Sequence, residues 1–149
     1  MEKVLYQNQY LYHKNKMSNM YQIDSSKEWD EVCIVDDAML TRFVTQKVCE
    51  SFFTSIPIKV FESVDLAIQH MQKYVKKKRL IFLDLNMPHR DGWSFLESYT
   101  PGPNEKVFIL SSSELEIDKH KASTYHSVSD FISKPISMEK LYSLLKNQK

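Results

Sequence analysis

The chain has 149 residues, a formal net charge of +1 and 42% hydrophobic residues, which fit one soluble domain with a core of useful size. So small a charge supplies no long-range pull toward nucleic acid or an anionic lipid surface, no apolar run approaches the ~20 residues of a membrane-spanning helix, and the N-terminus lacks a signal peptide's apolar segment. Two glycines, Gly92 and Gly102, are too few for a glycine-rich nucleotide loop, while Cys33 and Cys49 lie in apolar stretches, which argues against a disulfide or zinc scaffold and for a reduced, cytoplasmic setting.

Residues 1–28 are rich in Tyr, Asn, Gln, Lys and Ser without a sustained period, and read as a flexible extension ahead of a domain over 29–149. "VCIV" (32–35) predicts a buried strand. Over 38–53, Leu40, Phe43, Val44, Lys47 and Val48 recur at helical spacing. "IKVFE" (58–62) predicts a strand, and 63–75 a helix opened by Ser63 as N-cap. "KKKR" (76–79) reads as a solvated helix end and loop. "LIFLDL" (80–85) predicts a strand, and "WSFLESY" (93–99) a short helix stopped by "PGPN" (101–104). "KVFILSS" (106–112) predicts a strand, and 113–125 a polar helix. "SDFIS" (129–133) predicts the last strand, and 137–148 an amphipathic helix with Leu141, Leu144 and Leu145 on one face. The Met and Phe positions are assigned to the core by default, and none of His70, His89, His120 and His126 is assigned as a ligand.

A strand–helix pair repeated five times, with short apolar strands, predicts an α/β doubly wound fold with a five-stranded parallel sheet covered on both faces. In such folds the working groups gather at the carboxyl ends of the strands. That rule brings together Asp36 and Asp37 after the first strand, Asp84 at the end of the third, Ser111 at the fourth and Lys134 after the fifth. Taken alone, Asp84 would be a solvated strand end, and Asp36 or Asp37 a helix cap. Together, three carboxylates repel one another and invite a hard cation; oxygen donors of this kind suit Mg2+. A carboxylate beside a cation, an ammonium and a hydroxyl can accept a phosphoryl group.

"IVDD", "LIFLDLNMPHRDGW", "FILSS" and "FISKP", in this order, resemble the receiver domain of bacterial two-component response regulators, over residues 30–148. The resemblance implies the flavodoxin-like strand order 2-1-3-4-5. It makes Asp84 the phosphoacceptor, served by Ser111 and Lys134. It implies Mg2+ held by Asp37, Asp84 and the backbone carbonyl of Asn86, with Asp36 acting through water. Pro88 and Gly92 would fix the loop after the acceptor, and Ser113 would tune the phosphoryl lifetime. Ser111 and Phe131 would form a switch that reshapes the face around Glu114, Asp118, Phe131, Met138 and Tyr142. The "YHSVSD" loop (125–130) departs from the pattern by lacking a glycine.

The function expected is that of a stand-alone response regulator, not an enzyme beyond its own phosphorylation and dephosphorylation. Its expected partners are a sensor histidine kinase or histidine phosphotransfer protein and a downstream protein target, without direct nucleic-acid contact or membrane insertion. A haloacid-dehalogenase-type phosphohydrolase would want an acid two residues after the nucleophile, where Asn86 stands. A degenerate receiver serving as a scaffold would not need the intact set of site residues.

Overall fold

The computed structural model describes residues 28–112 and 115–147, together with Lys16 and Met20. The flexible extension expected over 1–28 therefore falls almost wholly outside the described residues, as do Ser113 and Glu114.

Five strand–helix units follow one another: β1 (Glu31–Val35), α1 (Met39–Phe52), β2 (Ile58–Phe61), α2 (Val64–Lys73), β3 (Arg79–Asp84), α3 (Gly92–Ser98), β4 (Glu105–Ser111), α4 (Glu116–Ser123), β5 (Val128–Ser133) and α5 (Met138–Lys146). The strands form one parallel sheet in the order β2-β1-β3-β4-β5, as the resemblance implied. Alternate residues of each central strand point to opposite faces. Val32, Ile34, Leu80, Phe82, Phe108 and Leu110 pack with Cys49 and Phe52 of α1 and Leu141 and Leu144 of α5. Cys33, Val35, Ile81, Leu83, Val107 and Ile109 pack with Val64, Ala67 and Met71 of α2, Phe95 of α3 and Ala122 of α4.

Caps set several helix starts. Ser63, Asp91 and Ser137 each accept a backbone N–H from three residues on, at 3.3, 2.8 and 3.2 Å. The glycine-free loop into β5 closes through backbone bonds from Tyr125 to the Ala122 carbonyl and from Val128 to the Tyr125 carbonyl.

Three expectations need correction. Burial on both faces holds for β1 and β3 throughout and for β4 at all but Lys106, whereas the edge strand β2 has no buried residue and exposes Lys59 and Val60, and the other edge, β5, is largely only part-buried. "KKKR" is not all solvated loop: Arg79 opens β3 and is fully buried. The Met and Phe positions are not uniformly core, because Met39 and Phe43 are 77 and 54% exposed, beside Leu40 and Val44 at 73 and 40%. α1 instead buries Thr45, Cys49 and Phe52, so of the stripe picked out by spacing Leu40, Phe43, Val44 and Lys47 face outward and Val48 alone packs against the core.

Beneath the sheet, at the amino ends of the strands, lies a buried ion network. Glu31, Arg79 and Glu105 are register partners across β1, β3 and β4. Arg79 donates through Nε to Glu31 and through Nη1 to Glu105, both at 2.6 Å, and through Nη2 to the Tyr74 carbonyl. Lys77 and His70 reach Glu31 at 2.7 and 3.0 Å, and the Tyr99 hydroxyl donates to Glu105. Cys33 also lies near Glu31. Two cations already hold that carboxylate, so Glu31, Cys33 and His70 form part of an ion network rather than a metal centre.

Candidate acceptor site at the carboxyl edge of the sheet

Asp84 is the last residue of β3, Ser111 the last of β4, and Asp36 and Lys134 directly follow β1 and β5. Parallel strands end at one rim, so topology alone collects these groups. Carboxylate oxygens of Asp36, Asp37 and Asp84 all lie within 4.8 Å of one another. Lys134 Nζ sits 2.7 Å from Asp36 Oδ2 and 3.3 Å from Asp84 Oδ1. The Lys134 N–H donates to the Ser111 carbonyl at 2.9 Å, which ties the lysine to the end of β4. The Lys134–Pro135 peptide is cis.

Burial raises the Asp84 carboxyl above the usual carboxylate range; Asp36 adds to the rise, while Lys134 and the Asn86 N–H oppose it. The Asp37 carboxylate, half-buried, accepts no hydrogen bond among the described residues. Two close acids, one raised and one unpartnered, are what a hard, oxygen-seeking cation would neutralise, so the donor set fits a hard divalent cation.

The turn after Asp84 is shaped by a close approach. A Cβ on Gly92 would fall 2.4 Å from the Asp84 carbonyl oxygen and 2.9 Å from Leu85 Cα. The Gly92 N–H donates to the Leu85 carbonyl at 3.1 Å. Glycine is thus required by space, and the left-handed conformation falls on His89, with φ 67°, which sequence reading did not single out.

Thr41 and Arg42 were also missed. The Thr41 hydroxyl lies 3.0 Å from both Asp36 oxygens. Arg42 Nη1 donates to the carbonyls of Asp36 and Asp37 at 2.7 and 3.0 Å, fixing the acidic turn from the first turns of α1. A helical Thr-Arg pair carries no motif; its place five residues beyond each acid is the one available signal.

Ser111 and Phe131 share a face of the sheet. Their register partners are Ser133 and Ile109, and side chains two residues apart on neighbouring parallel strands point the same way. Ser111 is fully buried, and the half-buried Phe131 packs with the cluster under α2, α3 and α4.

Beside Asp84 opens a cleft of about 540 Å³, lined by Asp37, Leu40, Val44, Asn86, Lys134 and Pro135 among others. Leu40 and Val44 are the exposed apolar residues of α1 that reach it.

A sequence profile of the response regulator receiver domain matches residues 32–146. The chain belongs to the response regulator receiver domain family. An uncharacterized response regulatory protein of Shewanella oneidensis is 30% identical over 115 residues, covering 76% of this chain and 46% of that relative, so the chain spans about half of that protein's length. The crystal structure of a response regulator receiver protein from Dyadobacter fermentans superposes with a TM-score of 0.69 at 26% identity, covering 78% of this chain and 95% of the other. The Mn2+-bound form of response regulator Rcp1 shares the fold with a TM-score of 0.60 at 22% identity, over 79% of this chain and 90% of that one. Among the described residues no helix is long and apolar enough to cross a membrane.

Proposed function

We propose that the chain is a phosphoryl acceptor of a two-component relay, with Asp84 as the acceptor, and that it signals through protein contact. The observation that carries this is the convergence of Asp36, Asp37, Asp84 and Lys134 at one rim, with an ammonium already 3.3 Å from the acceptor oxygen. An Asp84 oxygen bonds to phosphorus as the P–N bond of a phosphohistidine breaks, and that electron pair returns to the imidazole. Lys134 offsets charge on the transferring oxygens, and the hydroxyl of Ser111, at the end of β4, donates to one of them in this reading. Mg2+ held by Asp37, Asp84 and the Asn86 carbonyl would supply further charge neutralisation.

The phosphodonor is a sensor histidine kinase or a histidine phosphotransfer protein. Met39, Leu40, Phe43 and Val44 form an exposed apolar patch on α1, of which Leu40 and Val44 line the acceptor cleft, suited to an apolar surface flanking the donor histidine. The cytoplasm is the compartment this reading requires. Asn86, at the place where a phosphohydrolase would carry its acid, favours an acceptor over a turnover enzyme.

Incubation with acetyl phosphate and Mg2+, followed by intact-mass analysis, tests the reading. One phosphate is expected per wild-type chain and none on Asp84→Asn; a phosphate persisting on Asp84→Asn refutes it. Asp37→Ala is expected to need far more Mg2+ for the same labelling.

A further inference from the structure

Asp36 is 1% exposed. Its Oδ1 accepts the Ala38 N–H at 2.9 Å, and its Oδ2 accepts from the Lys134 ammonium at 2.7 Å. The Thr41 hydroxyl lies 3.0 Å from both oxygens and 3.1 Å from the Ala38 carbonyl. A hydroxyl carries one proton. An ionised carboxylate is a stronger acceptor than a backbone carbonyl, so the proton goes to Asp36.

A carboxylate has about four acceptor positions. Ala38, Lys134 and Thr41 fill three and leave one. The donors come from the acidic turn, from the segment after β5 and from α1, so the carboxylate cannot rotate about its terminal bond without breaking one of them. Asp37 beside it is less buried and its carboxylate is unpartnered among the described residues. The two neighbouring acids thus differ in kind: Asp37 is open to direct ligation, while Asp36 offers one acceptor position whose direction is fixed.

We propose that Thr41 is a positioning residue of the cation site, its hydroxyl holding Asp36 so that the remaining acceptor position receives a water of the bound Mg2+. The proposal rests on the cation-dependent acceptor reading above. The local alternative is a hydroxyl bonded to the Ala38 carbonyl of its own helix, a bond that stabilises α1 and leaves the cation untouched.

Calorimetric titration of the full chain with Mg2+, without a phosphodonor, separates the two. Thr41→Val keeps the side-chain shape and removes the proton. Its expected Mg2+ affinity is roughly tenfold weaker, as for other lost outer-shell partners. Thr41→Ser restores the hydroxyl and should bind close to wild type. In an Asp36→Asn background, Thr41→Val should add no further loss, because both changes act through one carboxylate. An unchanged or tighter Kd in Thr41→Val overturns the proposal. So does a tenfold loss that persists in the Asp36→Asn background, which would mark a general disturbance of the turn. A wild-type chain that binds no Mg2+ sinks the cation reading itself and this proposal with it. Wild-type binding with an indifferent Thr41→Val sinks the Thr41 role alone.

Discussion

Replacing Arg79 by Met tests how the domain tolerates a salt-bridge row beneath its sheet. Arg79 and Glu31 are fully buried and the Glu105 side chain is 4% exposed. Methionine fills much of the volume but leaves Glu31 to Lys77 and His70 and takes from Glu105 its buried cation, with the Tyr99 hydroxyl and the Gly102 N–H still donating to it. Breaking a buried pair from one side costs about 3–5 kcal/mol, equivalent to roughly 10–20 °C in Tm for a domain of this size. The loss should depend on pH. Burial pushes the Glu31 carboxyl up, but hydrogen bonds from Lys77, Arg79 and His70 outweigh that and bring it to about 2, below its ordinary 4.5. A carboxyl depressed in the folded state stabilises above its unfolded pKa and loses that contribution as pH falls toward the folded value. The shift corresponds to roughly 3 kcal/mol at neutral pH, and roughly half is gone by pH 3.5. Urea unfolding of wild type and Arg79→Met at pH 7, 5 and 3.5 should therefore show a gap that narrows at the acid end. Adding Glu105→Gln to the variant removes the carboxylate left without a cation and should recover part of the loss. A deficit under about 1 kcal/mol at pH 7, or one constant down to pH 3.5, would refute the assigned role of the network.

Gly92→Ala should cost at least the ~1–3 kcal/mol of an overpacked core and slow labelling of Asp84, because the new methyl meets strand backbone at 2.4 Å; wild-type unfolding and labelling would contradict the close approach. His89→Gly should raise stability by at most about 1 kcal/mol, since the left-handed strain removed is partly offset by glycine's entropy, as urea unfolding can measure. Phe131→Ala should lose roughly 2 kcal/mol, less than a fully buried Phe, and retain Asp84 labelling. Amide exchange should then lose its phosphorylation-dependent change over α4 and α5; an intact response would remove Phe131 from the signal path. Leu40→Ser with Phe43→Ser should leave acetyl phosphate labelling unchanged and slow transfer from a phosphohistidine protein, so equal slowing of both would show that the patch supports the fold rather than docking.

Strand–helix alternation, the five units and the residues at the strand ends were all legible in the chain, because buried parallel strands are short apolar runs and a parallel sheet must bring their carboxyl ends to one rim. Asp36, Asp37, Asp84, Ser111 and Lys134 could be read for the same reason: each sits at the junction where its strand stops. Tertiary packing decided the rest. Spacing made Leu40, Phe43, Val44, Lys47 and Val48 a helical stripe, yet periodicity cannot tell which stripe faces the sheet; Cys49 and Phe52 meet β1 and β3, and of the stripe Val48 alone packs with them while the rest turns to solvent. Arg79 followed three lysines and looked solvated until strand register set it between Glu31 and Glu105, residues 48 and 26 positions away. Thr41 and Arg42 gained their roles because the first turns of α1 fold back over the acidic turn. The chain order carries local period and strand ends, but partners brought together from distant segments exist only once the sheet has formed.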